Sequence, residues 1–402
     1  MPALSARRRL FGVLGALYLA QAIPSYLFAA ALPPILRDVG VSRAALGLLG
    51  LLMLPLVLKI AWAPLVDRTR PLAYGHRRAW ILLTQSGMAL TILSLALIGP
   101  QDFVALLALG MLLALLAATQ DIATDGYATA RLSAQDRPIG NAIQGGSIAL
   151  GVVVGGTLSL LLYDRIGWSA TMLVLGAISA LPLLALPFMD DDAPLPPRGQ
   201  RRRPSLAAFL QRPEAVRVLL VALTYRASEG LVKAMEGPYL VDAGVELDTI
   251  GWLSGGAATA ATVAGSAAAA LLVRRTGARA SLVLLGVLRT LCFLVFALHA
   301  LDLFGGISPV LGATALQTLI RYMEIVALYS LFMAAAASDQ PGTDFTLLAC
   351  AQLLVYLLGS VAAGLIAEAF GYGSLFLLAA LLSGAAVVLT AAILRRERLA
   401  PA

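Results

Sequence analysis

The sequence predicts an all-α polytopic membrane protein whose twelve transmembrane helices form two six-helix halves. Composition is the first observation behind this. Of 402 residues, 60% are hydrophobic and 13% charged, and the mean hydropathy is +0.87. A soluble domain carries roughly 25% charged residues, and too few polar side chains remain here to cover a water-facing surface. The second is recurrence: apolar runs of roughly 20 residues, enough to cross hydrocarbon, follow one another along the chain. The third is arginine placement, which segregates to alternate loops.

Arg7-Arg8-Arg9 precedes an apolar run from Leu10 to Leu36. That is longer than the roughly 7–15 residues of a signal-peptide core, so it reads as an uncleaved first span. Further spans are expected at 44–65, 79–99, 103–127, 138–163 and 168–188. The stretch 190–213 opens with Asp190-Asp191-Asp192 and is rich in Pro and Arg (Arg198, Arg201, Arg202, Arg203, Arg212), which reads as a solvated linker. Six more spans follow at 214–241, 249–272, 280–300, 307–336, 343–368 and 373–394. The expected domains are therefore an N-terminal half 1–189, the linker 190–213 and a C-terminal half 214–402.

Twenty loop arginines fall on the side of the N-terminus, among them Arg68, Arg70, Arg131, Arg137, Arg274, Arg275 and Arg279. Only Arg37, Arg43 and Arg165 fall on the other. Such an excess marks the cytoplasmic face, which puts both termini and the linker in the cytoplasm. It also accounts for the pI near 9.7 without a nucleic-acid partner. Cys292 and Cys350 lie in separate apolar runs, and His76 and His299 stand far apart. No disulfide framework, metal site or cofactor is expected.

Small residues cluster in the fifth span (Gly145-Gly146, Gly151, Gly155, Gly156) and the eighth (Gly255-Gly256 and the alanines to Ala270), where helix backbones can approach closely. Against this apolar background, eleven of the ionisable residues within the spans stand out: Lys59, Asp121, Asp125, Arg226, Glu229, Lys233, Glu236, Arg289, Arg321, Glu324 and Asp344. An ionisable group inside a membrane span points to function. Asp121 and Asp125 are one helical turn apart and share a face. Two like charges in a low dielectric resist joint ionisation, which suits proton coupling, with Asp121 the better carrier. The alternative is a gate brace in which Lys59 or a loop arginine pairs with them, Asp125 being nearer the loop. Arg226, Glu229, Lys233 and Glu236 fall on one helical stripe, either a self-neutralising ladder or a surface for a polar substrate. Gln317, Arg321 and Glu324 add a second stripe, with Arg321 the expected substrate anchor because a guanidinium keeps its charge and presents several donors. Arg289 has no evident partner. Gln21 and Tyr26 of the first span, with Asn141, Gln144, Gln352 and Tyr356, either line a pathway or bond neighbouring helices.

Asp125-Gly126-Tyr127-Ala128-Thr129-Ala130-Arg131 comes near the Asp-Gly-x-x-Ala-Arg signature of membrane alcohol phosphotransferases. One residue too many separates Gly from Ala-Arg, and Gln144 and Ile148 stand near where further aspartates would fall. The metal-binding acid set is incomplete, and no HExxH, Walker loop or nucleophile elbow occurs. An enzyme is not expected.

Three segments carry a family resemblance: Lys59-x-x-Trp62-Ala63-Pro64-Leu65-Val66-Asp67-Arg68, Gly75-His76-Arg77-Arg78-x-Trp80, and Ala118-Thr119-Gln120-Asp121-Ile122-Ala123-x-Asp125. They resemble the branch of the major facilitator superfamily that contains muropeptide permeases, acetyl-coenzyme A transporters and single-polypeptide siderophore permeases of the pyochelin and rhizobactin type. The resemblance implies the major facilitator fold, in which spans one, four, seven and ten line a central cavity. Eight of the eleven charges lie on these four spans, all of them on four, seven and ten, where a random scatter over twelve spans would put about a third. It also implies that Asp67, Arg68, Arg77 and Arg78, with Lys59, form a cytoplasmic gate, although Ala63 stands where the general motif has Gly. Drug antiporters carry a Gly-Pro motif in span five that this chain lacks, which argues against efflux. The compact length looks more like the siderophore permeases. The resulting expectation is a proton-coupled importer of a ferric siderophore in the bacterial inner membrane, acting as a monomer; a muropeptide or other amphipathic-solute permease is the alternative. The sites implied are Asp121 and Asp125 for protons, and Arg226, Glu229, Lys233, Glu236, Arg321, Glu324, Gln21 and Tyr26 for substrate.

Overall fold

The computed structural model describes residues 2–41, 48–190, 205–253 and 257–394. Most of the linker, the Gly255-Gly256 pair, Arg43 and the arginines from Arg395 onward lie outside the described residues. Every regular element among those described is helical. The principal helices are α1 (Pro2–Tyr26), α2 (Ala63–Arg68), α3 (His76–Leu95), α4 (Phe103–Arg131), α5 (Arg137–Gly151), α6 (Ser159–Ala180), α7 (Pro213–Thr224), α8 (Ala227–Asp242), α9 (Ala258–Ala300), α10 (Ser308–Ala335) and α11 (Pro341–Ile393).

Twelve separate spans were expected; six segments among the described residues are long and apolar enough to cross a membrane. They are Ala6–Leu36, Phe103–Arg131, Arg137–Phe188, Ala258–Ala300, Ser308–Ala335 and Pro341–Ile393. Part of the difference has a local cause. At Gly167, Gly277 and Gly371 the backbone leaves helical geometry at φ of 76°, 81° and 77°, a region glycine enters without a Cβ penalty. These glycines lie at the expected breaks between spans five and six, eight and nine, and eleven and twelve. The remaining expected spans are interrupted or polar. Residues 48–68 alternate 3₁₀ and α turns around Pro55, Lys59 and Pro64. α3 opens on His76-Arg77-Arg78. α7 and α8 are separated by non-helical backbone at Arg226 (φ −106°, ψ 12°).

α1 carries Pro24, and its continuation widens into a π-helical turn at Leu27–Ala31, as expected where proline removes a backbone donor. Asp102 caps α4, accepting from the Ala105 N–H at 3.2 Å. The small residues of the fifth span serve close packing: a Cβ on Gly155 would lie 2.2 Å from the Ile23 carbonyl oxygen, and one on Gly151 would lie 2.3 Å from the Ala22 Cβ.

The chain forms two compact units: Met1–Leu132 with Gly146–Leu206 and Ala336–Thr346, and Ser133–Gly145 with Ala207–Ala335 and Leu347–Ala402. In the first, Phe28, Ile35, Met88, Ile92, Trp168 and Met172 form an apolar core. In the second, Tyr239, Phe293, Phe296 and Phe376 do so. Large apolar side chains such as Leu97, Val104, Val361 and Phe370 point outward while charged groups are buried, the distribution hydrocarbon rather than water selects.

Candidate functional site

In the first unit the gate residues part company. Asp67 and Arg77 are both buried and form an ion pair. The second oxygen of Asp67 accepts from the backbone N–H (2.6 Å) and hydroxyl (2.8 Å) of Thr343, in the first turn of α11. A carboxylate there meets the unsatisfied N–H groups of a helix start. Arg77 also reaches the Ile122 carbonyl at 3.4 Å. This arrangement needs two glycines: a Cβ on Gly126 would fall 1.7 Å from Arg77 Nη1, and one on Gly342 would fall within 3.0 Å of Arg77, Asp67 and Ile122. Arg78 donates instead to the Met189 carbonyl and lies over the Tyr74 ring, and Arg68 is exposed. Thr343 and Gly342 were not singled out from sequence, and Gly126 figured only in the phosphotransferase comparison; Pro341 at the head of an apolar run was the available sign of a helix start.

Lys59 is buried and forms its ion pair with Asp121. Asp125, fully buried one turn on, accepts a hydrogen bond from the Tyr18 hydroxyl at 3.1 Å. The sequence left both acids open to a brace with Lys59 or a loop arginine, with Asp121 the better proton candidate; here Lys59 pairs with Asp121, and Asp125 is held by Tyr18. Tyr18, which sequence reasoning passed over, joins α1 to α4. Trp62 Nε1 donates to Thr119, and the Thr84 hydroxyl to the Gln120 side-chain oxygen, each at about 3.1–3.2 Å. Gln21 and Tyr26 sit half-buried further along α1.

The second unit holds a network of charges. Arg226 grips Glu229 with two guanidinium nitrogens, and Arg321 Nε lies 2.9 Å from the same carboxylate. Arg321 is partly exposed and its guanidinium stands over the Tyr356 ring at 5.7 Å. Lys233 pairs with Glu236 at 3.1 Å. Arg289 has partners after all: it donates to Glu324 (2.8 Å), the Tyr225 carbonyl (2.8 Å) and Ser383 (3.1 Å). Its guanidinium also lies 4.5 Å from the Tyr225 ring centroid. The other Glu324 oxygen accepts from the Tyr225 hydroxyl at 2.9 Å, so both oxygens of this buried carboxylate are occupied by protein. In this set four cations (Arg226, Lys233, Arg289, Arg321) face three carboxylates (Glu229, Glu236, Glu324), leaving one positive charge in excess. Arg321 is the guanidinium of the set that remains partly accessible.

Ion pairs held inside helices long and apolar enough to cross a bilayer mark a membrane protein with a functional interior. The sequence profile of the Major Facilitator Superfamily matches residues 14–227, more than half the chain, and the chain belongs to that superfamily. It is accordingly a transporter and not an enzyme. The chain is similar to the anhydromuropeptide permease of Escherichia coli, 25% identical over 365 residues, covering 89% of this chain and 74% of that one. An uncharacterized protein of Haemophilus influenzae is 26% identical over 277 residues, covering 66% of this chain and 65% of that one. Among solved structures, a bacterial homologue of the iron transporter ferroportin in its outward-facing state aligns with TM-score 0.72 at 14% identity, over 96% of this chain and 98% of that one. FucP in its outward conformation aligns with TM-score 0.71 at 15%, over 95% and 98%. At such identities these likenesses show the fold alone.

Two outcomes check this geometry. Gly126→Ala should displace Arg77 and destabilise the purified protein by about 1–3 kcal/mol, the usual penalty of overpacking; an unchanged melting temperature would place Arg77 elsewhere. Arg289→Met strands a buried carboxylate and should cost about 3–5 kcal/mol. The double variant Arg289→Met/Glu324→Leu should recover much of that loss, and a double variant no more stable than the single would deny the coupling.

Proposed function

We propose that the chain is an inner-membrane secondary transporter that imports a muropeptide or similar anionic, amphipathic solute by proton-coupled alternating access. The observation that carries this reading is the similarity to an anhydromuropeptide permease over 89% of the chain. The excess positive charge around Arg321 supports it, because a partly exposed guanidinium suits a carboxylate on the solute. The ferric siderophore reading gives way. The relatives reported above include no siderophore permease, and the ferroportin homologue shares only 14% identity.

In this reading the chain crosses the bilayer twelve times with both termini cytoplasmic. A 53-residue helix such as Pro341–Ile393 would extend about 80 Å if straight, against roughly 30 Å of hydrocarbon. The turn at Gly371 therefore marks two crossings, as do those at Gly167 and Gly277. Asp67, Arg77 and Thr343 act as the gate latch. Arg321 and Glu229 contact the solute, with Arg226 positioning Glu229, while Arg289 and Glu324 brace the helices. Asp125 carries the proton: it is held by a neutral phenol, whereas protonating Asp121 would break its pair with Lys59.

Uptake of labelled anhydromuropeptide into vesicles should saturate, collapse with a protonophore, and resist competition by a ferric siderophore. Siderophore uptake without muropeptide uptake would overturn the reading. Arg321→Ala should raise KM roughly 10- to 100-fold at equal abundance, the worth of a charge-assisted hydrogen bond; unaltered KM would remove it from the solute. Asp125→Asn should abolish accumulation against a gradient yet keep solute exchange, and retained accumulation would return the role to Asp121.

A further inference from the structure

A groove of about 400 Å³ opens on the first unit, and none of the charged residues just described lines it. One wall is α1, with Gly12 and Ala16 a turn apart, and the other is the 3₁₀ segment Leu181–Phe188. Its lining is apolar apart from one charged group, Arg9. The groove exists because Gly12 and Ala16 offer little side chain and the tight winding of Leu181–Phe188, which includes Pro182 and Pro187, leaves their space unfilled. A Cβ built on Gly12 meets nothing within 4 Å.

Arg9 belongs to the basic run Arg7-Arg8-Arg9 at the end of a membrane-crossing helix, the level at which lipid phosphates lie. It pairs with Asp190, but both side chains are substantially exposed. An exposed pair holds its partner weakly, so the guanidinium can turn to a phosphate, which it binds through two parallel donors. Arg7 is stacked against Phe11, 5.3 Å from the ring centroid, and Arg8 is exposed. Arg9 is thus the one charged group on the lining of an apolar slot, and Arg7 and Arg8 add positive charge to the same helix end, the complement of a lipid that is anionic at one end and hydrocarbon at the other.

We propose that this groove binds an anionic phospholipid from the surrounding bilayer, one acyl chain lying between Gly12, Ala16, Leu181 and Ala185 and its phosphate on Arg9. Such a lipid braces the charged end of α1, the helix that carries Tyr18.

Native mass spectrometry of the full chain, titrated with phosphatidylglycerol and with phosphatidylcholine, tests this. Phosphatidylglycerol should bind more tightly. Gly12→Leu, which fills the groove, should weaken it at least about tenfold, the effect of losing contact along two methylenes. Arg9→Gln should bring the two lipids to equal affinity. Neither variant should alter the melting temperature in lipid-free detergent, and Arg9→Gln, which changes no packing, stands as a test even if Gly12→Leu folds poorly. Equal affinity of the two lipids for the unaltered protein would overturn the proposal. So would undiminished binding in both variants, displacement of phosphatidylglycerol by glycerol phosphate alone, or a dimer sensitive to Gly12→Leu in place of lipid adducts.

Discussion

Arg289 sits where a guanidinium has no water to fall back on, and its five donors have to be met by protein. Glu324 comes from α10, the Tyr225 carbonyl from the junction of α7 and α8, and Ser383 from the distal part of α11. The helix break before Arg226 frees the Tyr225 carbonyl, and Arg289 takes it up. A charge desolvated this fully is tolerable only when paired and hydrogen-bonded. Four elements of the second unit are therefore held to one geometry. With Glu324 consumed, Glu229 is left to balance Arg226 and Arg321 together, and the surplus charge appears at the more exposed of the two.

The first unit follows the same rule around Asp67. Its carboxylate is matched on one side by Arg77 and on the other by the opening turn of α11. Because the guanidinium is pressed against α4 and α11, glycine stands at 126 and at 342. An ion pair and a bond to a helix terminus can both be exchanged for water, which suits the proposed latch. The acid pair of α4 divides along similar lines, Asp121 in an ion pair and Asp125 in a neutral hydrogen bond, so the two carboxylates differ in what protonation would disrupt.

Much was legible in the sequence. The apolar runs fixed an all-helical membrane protein, since a backbone in hydrocarbon must bond to itself. Gly167, Gly277 and Gly371 lie at the breaks expected between neighbouring spans. The small residues of the fifth span announced a close helix contact, and Gly151 and Gly155 make it against α1. The charges of α4, α8 and α10 were recognisable as out of place in an apolar helix, and the Asp67–Arg77 pair was within reach of the loop motif.

Partnership was another matter. Helical spacing shows which residues share a face, but the face they meet belongs to another helix, in some cases a hundred residues away. Lys59 chose Asp121 over Asp125, Tyr18 reached Asp125 across 107 positions, and Arg289 found Glu324 and Ser383 on two different helices. Sequence by itself determined the solvent, the helices and the inventory of buried charges. Tertiary structure alone decided which charge neutralises which, because that depends on how neighbouring helices are rotated and shifted against one another.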